Sequence, residues 1–487
     1  MAASVARGAL PRYESFTTMP LGATWRPGSS GKTMADSDPW SGRILTEIPL
    51  ADAGDLDQAV TTAQRVQREW AGRSPADRAE VMLAAAEVMR DRRLEITDWL
   101  VRETGLLVAR AELEWNLTRA ALLGAAGVPR QVTGRIVPSD LPDRQHRVYR
   151  VPAGVVAVIS PWPSPMRLSS RAAVPALAAG NAVILKPSSD TPVTGGLLLA
   201  RICEEAGLPA GLLSVVVGSG DVIGQALGAH QVPRVVFFAG SVAVGAALAR
   251  QAEGKRLIRE TGVNGPFVVL DDADLGRAVD AAVFGSFARQ DQICAIANRI
   301  IVHRKVYQEF TERFLTVLGG LRAGDPAAAD TDVGPLINAR QLGLIQDKLD
   351  RARSEGARLV LGGEPSGPAG LLLPPHVLLA GPSAARREEV TGPVATIIRV
   401  RDDQDALKVA NRAGHGRSGA VFTADAERGV RFALGLDVSQ THVNGSPVND
   451  DAPAGLGGRG VIDQFTTECW VSVPAARPDS PGSAWAR

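Results

Sequence analysis

Gly154-Val-Val-Ala-Val-Ile-Ser160, Ala182-Val-Ile-Leu185, Ser214-Val-Val-Val217 and Val235-Val-Phe-Phe238 are short β-branched runs that follow one another along the middle of the chain. They are apolar on both faces and bounded by Gly or Pro, the pattern of strands buried on both sides of a sheet. Ala-rich helical stretches separate them, over 169–179, 194–206 and 220–227. Strand–helix alternation at this spacing predicts a parallel, doubly wound α/β sheet. The last run leads into Gly240-Ser241 and another helix.

Outward from this block the same grammar recurs. After Gly262 come Phe267-Val-Val-Leu270, a helix over Leu275–Phe287, Arg299-Ile-Ile-Val302, a helix from Tyr307, and strands at Arg358-Leu-Val-Leu361 and 395–400. This predicts a second α/β lobe, with a cleft between lobes as the default ligand site. Upstream, the pattern is helical from Leu56, with Ser74-Pro75 as a capped helix start and further helices through Trp99 and Ala120. Residues 1–37, rich in Gly, Pro, Ser and Thr, read as an extended or partly ordered arm, and 129–151 as a projecting hairpin.

The 487 residues correspond to about three domains at roughly 150 residues each. A net charge of +1 excludes a large field for holding nucleic acid or an anionic membrane. With 45% hydrophobic and 22% charged residues, a disordered or fibrous chain is excluded. Cys203, Cys294 and Cys469 lie too far apart for a disulfide framework or a CxxC clip, which points to a reducing compartment. The six histidines contain no HxxxH or HExxH pair, so no metal site is expected. No apolar run reaches about 18 residues, and the start lacks the basic-then-apolar order of a secretory signal. A cytoplasmic protein is expected.

Gly218-Ser-Gly220-Asp-Val-Ile-Gly224 follows a strand, but its GxGxxxG spacing is one residue longer than the dinucleotide fingerprint; a plain turn explains it equally well. Gly240-Ser241-Val-Ala-Val244-Gly245 opens a helix at a strand end and is the better anion site. There backbone N–H groups, the helix dipole and the Ser241 hydroxyl would face a phosphate. Cys294 reads by itself as a packed core cysteine, Lys186 as a loop lysine and Glu260 as a surface acid. Singly, none of these assigns a function.

Taken in order they do. Pro39-Trp40-Ser-Gly42, Ile159-Ser-Pro161-Trp162, Leu185-Lys186-Pro187-Ser188, Phe238-Ala-Gly240-Ser241, Glu260-Thr-Gly262, Gln292-Ile-Cys294, Asp332-Val-Gly334-Pro335-Leu336, Gly392-Pro393-Val394 and His442-Val-Asn444-Gly445 resemble the aldehyde dehydrogenase superfamily from about Asp38 to Val473. Arg147-Val-Tyr-Arg-Val-Pro152 and Asn444-Gly-Ser-Pro447-Val-Asn449-Asp450 are similar to its benzaldehyde, vanillin and salicylaldehyde branch.

The resemblance implies two doubly wound parallel-sheet lobes plus a small β element for assembly into a homodimer or homotetramer. It sets the cofactor lobe at 38–128 and 152–259, the catalytic lobe at 260–459 and the assembly element at 129–151 and 460–475, with a loose tail at 476–487. It implies oxidation of an aromatic or bulky apolar aldehyde to its acid, with NAD or NADP taking the hydride. Cys294 matches the nucleophile, and a thiolate suits the task because its thioester hydrolyses readily. Glu260 matches the general base, and its presence favours hydrolysis over transfer to coenzyme A. Lys186 would contact the adenosine ribose, Trp162 and Ser241 the pyrophosphate and Glu389 the nicotinamide ribose, with Ile159, Gly220, Gly224, Gly240, Val244 and Gly245 along the dinucleotide. Ser189 stands where NAD-preferring members often carry Glu, which leaves room for NADP.

Departures cluster at the same site. Pro163 replaces the Asn that donates to the developing oxyanion and offers no donor; loss of one such donor costs roughly 10²–10³-fold in rate. Asp291 replaces a Gly beside Cys294, where its charge opposes thiolate formation. Thr391 and Leu456 each replace a Phe, and Val263 replaces a Gly. Three readings stand: a working but slow or specialised dehydrogenase, an impaired member acting as a binding or scaffold subunit, or a Cys294 thioester or ester hydrolase.

Overall fold

The computed structural model describes residues 12–13, 16–141, 144–262, 265–287, 297–381, 390–414, 416–447 and 459–474. Its first sheet is wholly parallel, in the order Arg256–Thr261, Val235–Gly240, Val155–Ile159, Ala182–Lys186, Leu213–Val215. Every residue of Val155–Ile159 and Ala182–Lys186 is buried, as unbroken apolar runs require. The chain starts at the central strand Val155–Ile159, winds outward to Leu213–Val215, then crosses back to Val235–Gly240. The winding therefore reverses between Val155–Ile159 and Val235–Gly240, and the crevice beyond their carboxyl ends is where such sheets bind ligands.

Helices cover this sheet, among them Ala53–Gly72, Pro75–Asp91 and Pro165–Ala178. Ser74 accepts from the backbone N–H of Asp77 in a capping box, with Pro75 in the first turn. The Trp70 indole donates to the carbonyl of Leu177 at 2.7 Å and ties the first helix to the third of these.

The second sheet runs Arg358–Leu361, His376–Ala380, Val394–Val400, Arg299–His303, Pro266–Val269, Gly416–Phe422, Val438–Val443, parallel except for its first pair. The strands at Gly416–Phe422 and Val438–Val443 have no counterpart in the sequence-based reading. Gly416-Arg-Ser-Gly419 is poor in strand formers, and Val438-Ser-Gln-Thr-His-Val443 is polar and half-buried, so pairing within the sheet decides both. A third, antiparallel sheet places Arg144–Pro152 between Arg135–Pro138 and Thr466–Pro474.

Residues 16–37 differ from the expected arm. Phe16, Met19 and Leu21 are buried, Met19–Leu21 pairs with Thr24–Arg26, and Thr33–Ser37 pairs with Ile44–Pro49. The N–H of Gly22 donates to Ser214 Oγ at 3.1 Å, fixing this ribbon beside the edge strand Leu213–Val215. A few spaced apolar side chains suffice to dock a segment whose average composition reads as loose.

This docking brings two carboxyl groups together. Asp36, on Thr33–Ser37, is buried beside the fully buried Glu103 of the helix Arg93–Thr104. Glu103 accepts from the N–H groups of Val193 and Thr194 at 2.7 and 2.8 Å, anchoring the backbone just after the Lys186–Asp190 turn. Burial and the neighbouring Glu103 charge push Asp36 up to about 10, and burial pushes Glu103 up to about 7. Asp36 holds the proton.

Candidate active site

The carboxyl ends of four adjacent strands converge. Ile159 stands opposite Phe238 on one side and Lys186 on the other, and Gly240 stands opposite Thr261, next to Glu260. Lys186 is buried, and its ammonium donates to the carbonyl of Pro187 at 2.8 Å. Burial pushes its pKa down to about 8, with Asp190 opposing the shift. Ser189 Oγ donates to the carbonyl of Gly218 at 3.2 Å, which joins the Lys186 turn to the glycine-rich loop. Gly218 is forced: a Cβ there would lie 2.4 Å from Ile223 Cγ1. Gly220 faces open space, and a Cβ on Gly224 would stand 3.9 Å from the Lys186 stem. Lys186, Ser189, Gly220 and Gly224 thus form one corner of the crevice.

Across the crevice, Ser241 Oγ accepts from the N–H of Val244 at 3.3 Å and caps the helix Val242–Gln251. Gly240 and Gly245 serve packing: added Cβ atoms would come within 2.7 Å of the Phe238 ring and 3.0 Å of Thr261 Cγ2. Val242 and Val244, in the first turn, are more than half exposed. An exposed helix start with bare valines, facing a glycine corner and a buried lysine, fits a dinucleotide laid over the strand ends.

Trp162, Pro163 and Ser164 follow Ile159 and line a narrow cleft with Leu106, Leu113 and Leu117. Ser164, between two prolines, has φ +47°, although a residue before proline is pushed toward extended backbone. Such outliers cluster at functional sites. Ser164 does not cap the helix Pro165–Ala178 that it precedes. The buried Glu114 does so instead, accepting from the N–H groups of Met166 and Arg167 at 3.0 and 3.2 Å.

That helix is buried at every position but Arg167 and Arg171. Arg171 Nη2 lies 3.3 Å from Glu260 Oε1, and both side chains are largely shielded. Arg167 and Arg110 line the cleft with Trp162. These three arginines are absent from the sequence-based site. The available signal was two cations four residues apart in an Ala-rich helix directly after Pro161-Trp162-Pro163-Ser164-Pro165. Cys294 and Glu389 lie outside the described residues, as do Asp291, Val263 and Leu456. Thr391 is described, and its carbonyl accepts from Gln341 Nε2 at 2.6 Å. Among the described residues no cluster of metal-ligating side chains occurs, and no helix is long and apolar enough to cross a membrane.

The Aldehyde dehydrogenase family model matches residues 25–461. A vanillin dehydrogenase of Corynebacterium glutamicum is 40% identical over 470 residues, covering 93% of this chain and 96% of that protein. The crystal structure of an NAD-dependent benzaldehyde dehydrogenase from Corynebacterium glutamicum matches with TM-score 0.87 and 38% identity, covering 97% of this chain and 98% of that one. A salicylaldehyde dehydrogenase from Pseudomonas putida G7, complexed with salicylaldehyde, matches with TM-score 0.88 and 30% identity over 96% and 99% of the two chains. Sheet order, strand-end motifs and these likenesses agree: the chain belongs to the aldehyde dehydrogenase family.

Proposed function

We propose that this protein oxidises an aromatic aldehyde to its carboxylic acid with NAD or NADP as acceptor. The observation that carries the reading is the meeting of Glu260, the Ser241 helix start and the Trp162–Ser164 cleft at the point where the sheet's winding reverses. Vanillin and benzaldehyde, the aldehydes of the relatives, set the substrate class.

Cys294, as thiolate, attacks the aldehyde carbon and the carbonyl oxygen takes up the charge. Pro163 offers no donor to that oxygen, so the backbone N–H of Cys294 and the Ser164 hydroxyl are the remaining candidates. When bound, the nicotinamide supplies the hydride acceptor that leaves Cys294 as a thioester. Glu260 then takes a proton from water, which attacks the thioester carbon; the acid departs and the thiolate returns. Arg171 holds the Glu260 carboxylate at the strand end for this step.

Lys186 and Ser189 would hold the adenosine ribose, Ser241 and Trp162 the pyrophosphate and Glu389 the nicotinamide ribose. Asp190, the acid next to Ser189, is engaged by Asn338 at 2.9 Å and Arg340 at 3.1 Å. A 2′-phosphate at Ser189 therefore meets no carboxylate at that position, which supports use of NADP beside NAD. The exposed Tyr149 and Trp470 of the antiparallel sheet support a homodimer or homotetramer, and the lack of paired cysteines supports a cytoplasmic setting.

The test is production of reduced nicotinamide from vanillin and benzaldehyde with each cofactor, expected to vanish in Cys294→Ala and to fall about 10²–10⁴-fold in Glu260→Gln. Cofactor binding without turnover of either aldehyde would favour a scaffold subunit instead. Cys294-dependent ester cleavage without reduction of cofactor would favour a hydrolase.

A further inference from the structure

We infer that Asp190, Asn338 and Gln341 are positioning residues: together they bridge the two sheets and set the distance between the two ends of the dinucleotide site. This rests on the proposed placement of the adenosine ribose at Lys186 and Ser189 and of the nicotinamide ribose at Glu389. The turn after the strand Ala182–Lys186 is anchored on its own side of the molecule. Ser189 Oγ donates to the carbonyl of Gly218 at 3.2 Å, and Glu103 accepts from the N–H groups of Val193 and Thr194. Asp190 reaches the other way. Its carboxylate accepts from Asn338 Nδ2 at 2.9 Å and pairs with Arg340 at 3.1 Å. Arg340 is 65% exposed, so water screens that pair, and the contact with Asn338 is the one that fixes position.

Asn338 does two things with one amide. Its Oδ1 accepts from the N–H of Gln341 at 2.8 Å and caps the helix Ala339–Ser354, which leaves Nδ2 for Asp190. Asp or Ser would cap as well. Asp, however, has no hydrogen to donate and would set a second charge against Asp190, and Ser has no second arm. The capped helix belongs to the second sheet, because Ile345 and Leu349 share a buried cluster with Leu378 and Val394. Gln341, itself buried, donates from Nε2 to the carbonyl of Thr391 at 2.6 Å. The carbonyl of Val390 accepts from Asn298 Nδ2 at 2.8 Å, and a Cβ on Gly392 would lie 2.3 Å from Ile345 Cδ1. Thr391 is therefore seated firmly, two residues after Glu389 in the sequence. Three side chains thus join the residue next to Ser189 to the segment that follows Glu389. A ligand held at both ends gains from the second contact only when the first presents it at the right separation.

The test weighs a dinucleotide against its half, by titration calorimetry of the full chain with NAD and with 5′-AMP. Asn338→Ser keeps the cap and loses the donor, and Asn338→Asp turns the donor into a like charge. Both are expected to weaken NAD about 10-fold, the scale of a charge-assisted hydrogen bond, while AMP binding holds within about 2-fold. Asp190→Asn combined with Asn338→Asp re-forms the bond with donor and acceptor exchanged, and should return the ratio of the two affinities to its wild-type value. Should Asn338→Asp fail to fold, Asn338→Ser and the double variant carry the comparison. Equal losses for NAD and AMP would reduce the bond to a prop for the Lys186 turn and overturn the bridge. An undiminished ratio in the single variants, or a double variant that does not recover it, overturns the bridge as well. Because the readout is binding alone, absence of aldehyde turnover counts against the proposed oxidation and leaves the bridge standing. A wild type that binds NAD no tighter than AMP, and NADP no tighter than 2′,5′-ADP, overturns the bridge whatever aldehyde is turned over.

Discussion

Replacing Asp36 by Asn removes one titration from the buried pair that it forms with Glu103. In the native chain Asp36 is 3% exposed, faces Glu103 and has its pKa raised from 3.8 to about 10. Below the ordinary carboxylate range, folded and unfolded chains both hold this proton and the contribution to stability is whole. As pH rises, the unfolded chain releases the proton while the folded chain keeps it, so stability falls until about pH 10. One proton over two pH units amounts to about 3 kcal/mol. Between pH 6 and 8 the wild type should lose that much more than Asp36→Asn does. Glu103 is raised in the same direction and loses its carboxyl neighbour in the variant, so the difference between the two proteins reads the pair. Lys186 has the opposite sign: its depressed pKa gives a contribution present above the ordinary lysine range and lost as pH falls through about 8. The window below pH 8 keeps that term small.

The assay is thermal or guanidinium unfolding, followed by tryptophan fluorescence, of both proteins at pH 6, 7 and 8. The expected result is a midpoint that drops with pH in the wild type by several degrees more than in the variant. Parallel profiles would show that Asp36 ionises in the folded protein as it does in the unfolded chain, and the account of this buried pair would be wrong.

Pro163→Asn should raise kcat by up to about 10²-fold by restoring a side-chain donor to the oxyanion; steady-state kinetics with vanillin would show otherwise if the rate stayed level or fell. Arg171→Leu should lower kcat more than it changes KM, with a full initial burst of reduced nicotinamide followed by slow turnover, and Arg171→Lys should recover part of the rate. An unchanged kcat in Arg171→Leu would reduce the ion pair to a structural contact. Gly218→Ala, with its Cβ only 2.4 Å from Ile223 Cγ1, should destabilise by about 1–3 kcal/mol and raise KM for the cofactor, read by melting temperature and kinetics.

What the sequence discloses of this molecule follows from range. Strands such as Val155–Ile159 and Ala182–Lys186 are buried on both faces, so each announces itself within five residues. The positions that end those runs, Ile159, Lys186, Gly240 and Glu260, fall together because the sheet is parallel and its carboxyl ends share one edge. The partnership of Glu260 with Arg171 has no such local signal. It depends on how the helix Pro165–Ala178 sits over the sheet, a contact between residues far apart in sequence. The docked 16–37 segment is the same lesson in reverse: Phe16, Met19 and Leu21 are too few to give a period, yet each fills a slot that the rest of the fold provides.

The helix Pro165–Ala178 gathers the unusual features of the site into one rigid part. It starts at Ser164, whose left-handed backbone is flanked by the proline that stands in for the oxyanion donor. Its first turn is held by the buried Glu114 and carries Arg167 to the cleft, and its second pairs Arg171 with Glu260. A shift of the helix start therefore moves the oxyanion segment, the cleft cation and the partner of the base together. The residue at 163 cannot be judged alone, because the donor it lacks and the arginines downstream answer to the same backbone. A neutral oxyanion donor acts through one short-range contact, so its effect depends on the backbone that places it to a few tenths of an ångström. On that physics Pro163→Asn restores the oxyanion contact only where the helix start leaves the backbone at 163 in place.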